Sequence, residues 1–302
     1  MNNSSDSNFV NSLQSISARV DKALDQWLPV PSPSTSGRLN EAVRYSAMAG
    51  GKRIRPALCL LVAESRGAES EAALRAGCAF ELIHAYSLIH DDLPAMDDDD
   101  YRRGKPTNHK VFGEATAILA GDSLLTLAFE WLSELTQYGI AAEKNIEIIK
   151  LAAHAAGHAG MVGGQMLDLT FERRETSLET LETIHRQKTG ALIRAPMQTG
   201  AILAGYQPAE CAIIEKFATK IGLLFQIKDD LLDVEGDQKQ LGKKTGRDAE
   251  LGKTTFPGLL GLSGARDYAQ KTLEEAHDLL RQLAQPLPLL ADMADYIYSR
   301  QK

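Results

Sequence analysis

The chain has 302 residues, 44% hydrophobic, 24% charged and only 6% aromatic, which is enough apolar material for a large core. Its 33 basic and 40 acidic side chains give a net charge of −7, and six aspartates between Asp91 and Asp100 supply nearly all of it. That balance excludes a basic nucleic-acid-binding surface, and the longest clean apolar run, Ala57–Ala63, is far too short to span a bilayer.

The N-terminus, MNNSSDSNFV, has neither the basic nor the apolar region of a signal peptide. Cys59, Cys78 and Cys211 are odd in number, far apart and set among apolar residues, so a reducing, cytoplasmic location is expected. In chain order, Gly50–Pro56 reads as a glycine turn leading into a helix whose first turn holds Pro56. Glu71–His90 is apolar nearly all round, and Leu151–Leu169 is crowded with Ala and Gly. Both suit helices in the middle of a bundle. Thr176 and Glu179 have capping-box spacing. Pro208–Val234 is strongly periodic, with Ile213, Phe217, Ile221 and Leu224 at steps of four, four and three. Gly236–Gly252 and Pro286–Pro288 punctuate the rest. With no linker, no repeat and few β-type alternations, one all-α domain over 1–302, a bundle of ten or so helices, is predicted.

Chemistry concentrates in three places. Asp91, Asp92 and Asp97–Asp100 crowd like charges at the C-terminal end of an apolar helix, where the macrodipole also disfavours anions. Divalent cations offset that cost, and all-carboxylate ligation suits magnesium bridging to phosphates. Pro94 should turn Asp97 back toward Asp91. The second cluster, Asp229 and Asp233, lies four residues apart on one helical face with Gln226 one turn above. The third is basic: Lys52, Arg53 and Arg55 gather at a helix N-terminus, as a phosphate site needs. Arg102, Arg103, Lys105, Lys188, Lys243, Lys244 and Lys253 add further cations. His154 and His158, four apart, lack further zinc ligands and read as packed core residues.

These motifs resemble those of trans-prenyl diphosphate synthases. Both aspartate runs, the trailing Arg102-Arg103-Gly104, the Gly51–Pro56 stretch, Gly163-Gly164-Gln165 with Asp168, and Lys188-Thr189-Gly190 occur in that family's order over roughly 39–257. The four-residue spacer Leu93–Met96 is the longer form typical of bacterial farnesyl diphosphate synthases. The resemblance implies an all-α fold around a central cavity, a homodimer, and head-to-tail condensation of an allylic diphosphate with isopentenyl diphosphate. It implies that Asp91 and Asp97, with Asp92, hold two magnesium ions and Asp229, supported by Asp233, a third. Arg102, Lys188, Lys243 and Lys253 would bind the allylic diphosphate. Lys52, Arg55, His84 and Arg103 would bind isopentenyl diphosphate without metal. Lys188, Thr189 and Gln226 would stabilise the carbocation.

Tyr86 lies five residues before Asp91, about 7.5 Å deeper along a helix, where a bulky ring would floor the pocket; an aromatic at that position resembles the family's farnesyl producers. Ser87 beside it is small, which keeps a geranylgeranyl product open. A non-catalytic partner subunit would have eroded aspartate motifs, and both are intact here.

Overall fold

The structure, a computed structural model, describes residues 3–33, 36–68, 70–174, 176–235 and 252–300. It is all-α apart from one two-residue hairpin. Thirteen α-helices occur among the described residues: α1 (Asn3–Trp27), α2 (Gly37–Ala47), α3 (Ile54–Glu64), α4 (Ser70–Asp91), α5 (Asn108–Phe112), α6 (Glu114–Ser133), α7 (Ala142–Ala156), α8 (Met161–Phe171), α9 (Leu178–His185), α10 (Ala191–Leu203), α11 (Pro208–Glu235), α12 (Phe256–Leu280) and α13 (Pro288–Ser299). A π turn, Arg186–Gly190, joins α9 to α10. The hairpin pairs β1 (Tyr101–Arg102) with β2 (Lys105–Pro106) antiparallel.

The helix with no polar face lies at the centre. α4 is buried along most of its length and packs on α3 and α6, while α10 packs on α3 and α11 against α10 and α12. Small residues set the spacing: a Cβ on Gly77 would meet Pro56 Cα at 3.0 Å, and one on Gly200 would meet Cys59 O at 2.5 Å. The largest fully buried side chains include Trp131, Phe80, Phe217 and Phe256. Arg75, the cation inside α4, is sandwiched between Trp27 and Trp131, 4.7 and 4.3 Å from the ring centroids, and pairs with Glu134.

Three expectations need correction. The Ala- and Gly-rich stretch 151–169 is not one helix; it breaks between α7 and α8, where Gly157 and Gly160 take non-helical backbone angles. The N-cap of α9 is Ser177, whose hydroxyl accepts from Thr180 N at 3.2 Å. Thr176 instead turns inward and bonds Arg174 O, so the capping register is one residue later. His154 and His158 stand exposed rather than packed in the core. Of the described helices, α6 with the turn after it is long and apolar enough to cross a membrane. Its Ala117, Ala120, Gly121, Leu124 and Ala128 are nevertheless buried against the bundle.

Because α3 and α10 touch through Gly200, Gly200→Ala is expected to cost about 1–3 kcal/mol of stability. A urea midpoint unchanged from wild type would show that this contact yields freely.

Candidate active site

The helices surround a cavity of about 840 Å³. Its walls are supplied by the starts and ends of elements, where helical backbone leaves groups unpaired and side chains can converge. On α4, His84, Leu88 and Asp91 follow one another at steps of four and three and share one face; on α11, Gln226, Asp229 and Asp233 do the same. Lys52 and Arg55 enter from the start of α3, Asp97, Asp99, Arg102 and Arg103 from the loop and hairpin after α4, and Asp168 from α8. Lys188 and Thr189 come from the π turn, and Lys253 from the segment before α12.

Local sequence explains the placements. Past α4 the chain doubles back at Pro94: Asp97 N donates to Asp91 O at 2.8 Å and Asp99 N to Asp92 O at 3.2 Å, with Asp98 left-handed at φ 50°. The expected return of Asp97 toward Asp91 is therefore made by backbone hydrogen bonds. Ahead of α3, Gly50 and Gly51 have φ of 79° and 135°, and Arg53 caps the helix at φ 48°. A Cβ on Gly51 would lie 2.7 Å from Arg103 Nη1, so glycine is what lets that guanidinium reach Gly50 O. Gly164 performs the same service on α8, where a Cβ would stand 2.1 Å from Lys188 N.

One wall is cationic beyond what the protein neutralises. Arg53 is spoken for: it is buried and bonds Glu81 at 2.8 Å, Asp21 at 2.8 Å and Ala47 O at 3.0 Å. Arg55 is not, since its Nε is buried with no hydrogen-bond partner. Burial, opposed by Glu81 and reinforced by Arg103, pushes its guanidinium down to about 10. Arg103 is lowered as well, through burial and the nearby Arg53 and Arg102. His84 is driven well below the usual imidazole value by burial and then by Arg55, Arg103, Arg102 and Arg53, which leaves it neutral. Such a wall suits a polyanion.

The other wall is acidic. Burial raises Asp91 to about 6; Asp97 and Asp92 push the same way, against Lys188 and Arg102. Asp229 pairs with Arg300 at 2.6 Å. Burial would lift Asp168, but Lys188 at 2.6 Å and Lys253 at 3.4 Å outweigh it and hold the carboxyl below its usual range. Among the described residues no three acidic, His or Cys side chains form a ready metal cage. Asp91, Asp97, Asp229 and Asp233 nevertheless line the same cavity, an all-oxygen donor set of the kind that suits magnesium, which takes one or two carboxylates per ion.

Most of the site residues expected from sequence meet here: Lys52, Arg55, His84, Asp91, Asp97, Arg102, Arg103, Lys188, Thr189, Gln226, Asp229, Asp233 and Lys253. Asp92 is placed differently. It is buried, accepts from Arg102 Nε at 2.7 Å and faces a small neighbouring pocket behind the hairpin. Tyr86 is buried edge-on against His90, with ring centroids 5.7 Å apart, and Ser87 Oγ bonds His84 O at 2.9 Å; neither lines the cavity. Lys243 and the segment 236–251 lie outside the described residues. Sequence reading gave no role to Asp168, His185 or Arg300, all of which line the cavity. Asp168 was visible as part of a motif. Arg300 lies 71 residues from its partner Asp229, and nothing local announces it.

Residues 36–285 match the polyprenyl synthetase family model. The chain is 46% identical to farnesyl diphosphate synthase of Escherichia coli over 97% of its length and 99% of that protein. It is 47% identical to geranylgeranyl pyrophosphate synthase 9, chloroplastic, of Arabidopsis thaliana over 93% of this chain and 78% of that one. Among solved structures, a geranyltransferase from Helicobacter pylori complexed with magnesium and isoprenyl diphosphate superposes with a TM-score of 0.83. It is 33% identical, with 96% of each chain covered.

Asp91 titrates higher in the folded than in the unfolded protein, so its protonation favours the fold in acid, and that contribution is lost as pH rises through about 6. Ionised Asp91 therefore costs the metal-free protein stability at neutral pH. Asp91→Asn should gain about 1–2 kcal/mol there, a difference that closes as the pH falls toward about 4. Thermal midpoints across that range would refute this if the mutant were less stable at neutral pH or the gap did not change.

Proposed function

The chain belongs to the polyprenyl synthetase family, and on that premise we propose that it condenses isopentenyl diphosphate with dimethylallyl or geranyl diphosphate, giving farnesyl diphosphate and pyrophosphate. The observation that carries this reading is one cavity with two unlike walls. A surplus of arginine suits a diphosphate bound without metal, and facing carboxylates suit one bound through cations.

Lys52, Arg55 and Arg103, with neutral His84 as a further donor, hold the diphosphate of isopentenyl diphosphate and so fix its double bond against the allylic partner. Lys188, Lys253 and Arg102 hold the allylic diphosphate, and the resemblance adds Lys243, which lies outside the described residues. Asp91, Asp97, Asp229 and Asp233 would hold about three magnesium ions, with Asp92 acting through Arg102, and magnesium supplies charge neutralisation to the departing pyrophosphate. As the C1–O bond breaks, its electron pair leaves with pyrophosphate and a carbocation develops at C1. Thr189, Gln226 and the Lys188 carbonyl would stabilise that cation. The double bond attacks C1, and the adduct loses a proton to the departed pyrophosphate, the acceptor that the family resemblance suggests.

The whole chain, read as one domain, works as a homodimer in the cytoplasm. Ile118 and Leu119 on the outer face of α6 are 44% and 57% exposed on an otherwise apolar helix, which suits a partner copy. The three free cysteines suit a reducing compartment. A non-catalytic role is disfavoured, since both aspartate clusters are intact in sequence and Asp91, Asp97, Asp229 and Asp233 line the cavity.

A geranylgeranyl product is the second reading. It is favoured by the near-equal identity to synthases of both kinds and by a Tyr86 that stands off the cavity wall. Product analysis with magnesium, isopentenyl diphosphate and geranyl diphosphate separates the two: a C15 product is expected, and Tyr86→Ala tests whether the buried ring, off the cavity wall, stops the chain, in which case the product lengthens. A C20 product from wild type would keep the reaction and overturn the role given to Tyr86, whereas no product from any allylic primer would overturn the reaction itself. Sedimentation should find twice the chain mass of 32.9 kDa, falling to one chain in Leu119→Asp. A monomeric wild type would remove the dimer.

A further inference from the structure

Lys188 and Lys253 are used above for the allylic diphosphate, but the imidazole between the elements that carry them has been given no task. His185 ends α9, immediately before the π turn that bears Lys188. Its ring stacks on Phe256, with centroids 5.4 Å apart and planes at 25°, and Phe256 opens α12 three residues after Lys253. The stack thus joins the two cationic segments. His185 lines the cavity, and its Nε2 is buried with no hydrogen-bond partner among the described residues. Burial, aided by Lys188 and Lys253 and opposed by Asp168, pushes the imidazole down to about 4. The ring is therefore neutral at working pH and carries one N–H and one lone pair.

A buried polar atom without a partner lowers stability, and native proteins keep few of them. Between two lysines the ring cannot relieve that cost by taking up a proton. It can relieve it when an anion enters, as a donor that adds a hydrogen bond without adding a charge. We propose that His185 is a further ligand of the allylic diphosphate, its Nε2–H donating to a phosphate oxygen held by Lys188 and Lys253. This rests on the assignment of those two lysines made above.

Two variants separate a ligand from a packing residue. His185→Phe keeps an aromatic face on Phe256 and removes the donor; His185→Gln returns an N–H at similar reach. Binding of inorganic pyrophosphate with magnesium would be measured by calorimetry on the full chain, together with KM for geranyl and isopentenyl diphosphates and the thermal midpoint. His185→Phe should weaken pyrophosphate binding and raise the geranyl diphosphate KM by about tenfold or more, leaving the isopentenyl diphosphate KM unchanged. His185→Gln should recover most of both losses. The proposal is overturned if His185→Phe binds pyrophosphate as wild type does, if Gln is as impaired as Phe, or if both KM values rise together. A wild type that neither binds pyrophosphate nor turns over would instead bring down the reading of the cavity, and this ligand with it.

Discussion

Like charges confined at the edge of an apolar core are the constraint around which this structure is arranged. Buried helix α4 delivers Asp91 into a wall where burial and neighbouring aspartates raise its carboxyl to about 6, and the start of α3 delivers Arg55 into one where its guanidinium falls to about 10. Each shift measures interaction energy that the folded protein carries without return until a partner of opposite sign arrives. On the proposed function, a diphosphate would relieve the arginine wall directly, and magnesium held by Asp91, Asp97, Asp229 and Asp233 would neutralise the aspartate wall. The two walls would then take two different forms of the same chemical group, as a condensation of two diphosphates requires.

Adjacent residues of the same type divide the work. Arg53 is buried and tied to Glu81 and Asp21, anchoring α3 to α4 and α1, while Arg55, two residues on, keeps a buried donor unpartnered. Asp92 is buried against Arg102, whereas Asp91 faces the cavity. Asp230 is buried and accepts from Phe256 N at 2.9 Å, closing the N-terminus of α12, whereas Asp229 stays half exposed beside it. Successive helical side chains point about 100° apart, so a doublet supplies one group to the site and one to the frame that holds it.

Close backbone contacts hold the same frame. Gly164 lets α8 meet the π turn at Lys188, and Gly222 on α11 would place a Cβ 3.0 Å from Gly190 Cα at the end of that turn. A π turn widens the helix and re-aims its side chains, and here it presents Lys188 and Thr189 together toward the acidic wall. Glycine is needed at these points for proximity, since neither residue has a left-handed backbone.

Helix positions and the chemistry of the site were legible locally. Apolar periodicity gave α11 almost to the residue, the lack of a polar face put α4 at the centre, and the two aspartate clusters and the Lys52–Arg55 turn were visible as charge too dense to be left uncompensated. These are short-range properties, set by side-chain type and by spacing along a helix. What the sequence left open involves partners far apart in the chain: Arg300 on Asp229, Glu81 on Arg53, His185 stacked on Phe256, and the contacts that turn Asp92 away from the cavity. The break in 151–169 belongs with them, because glycine permits either a helix or a turn and packing chooses between the two. Local sequence determined which residues carry charge and which faces they share; only the tertiary structure decided which of those charges are neutralised by the protein and which are left for a substrate.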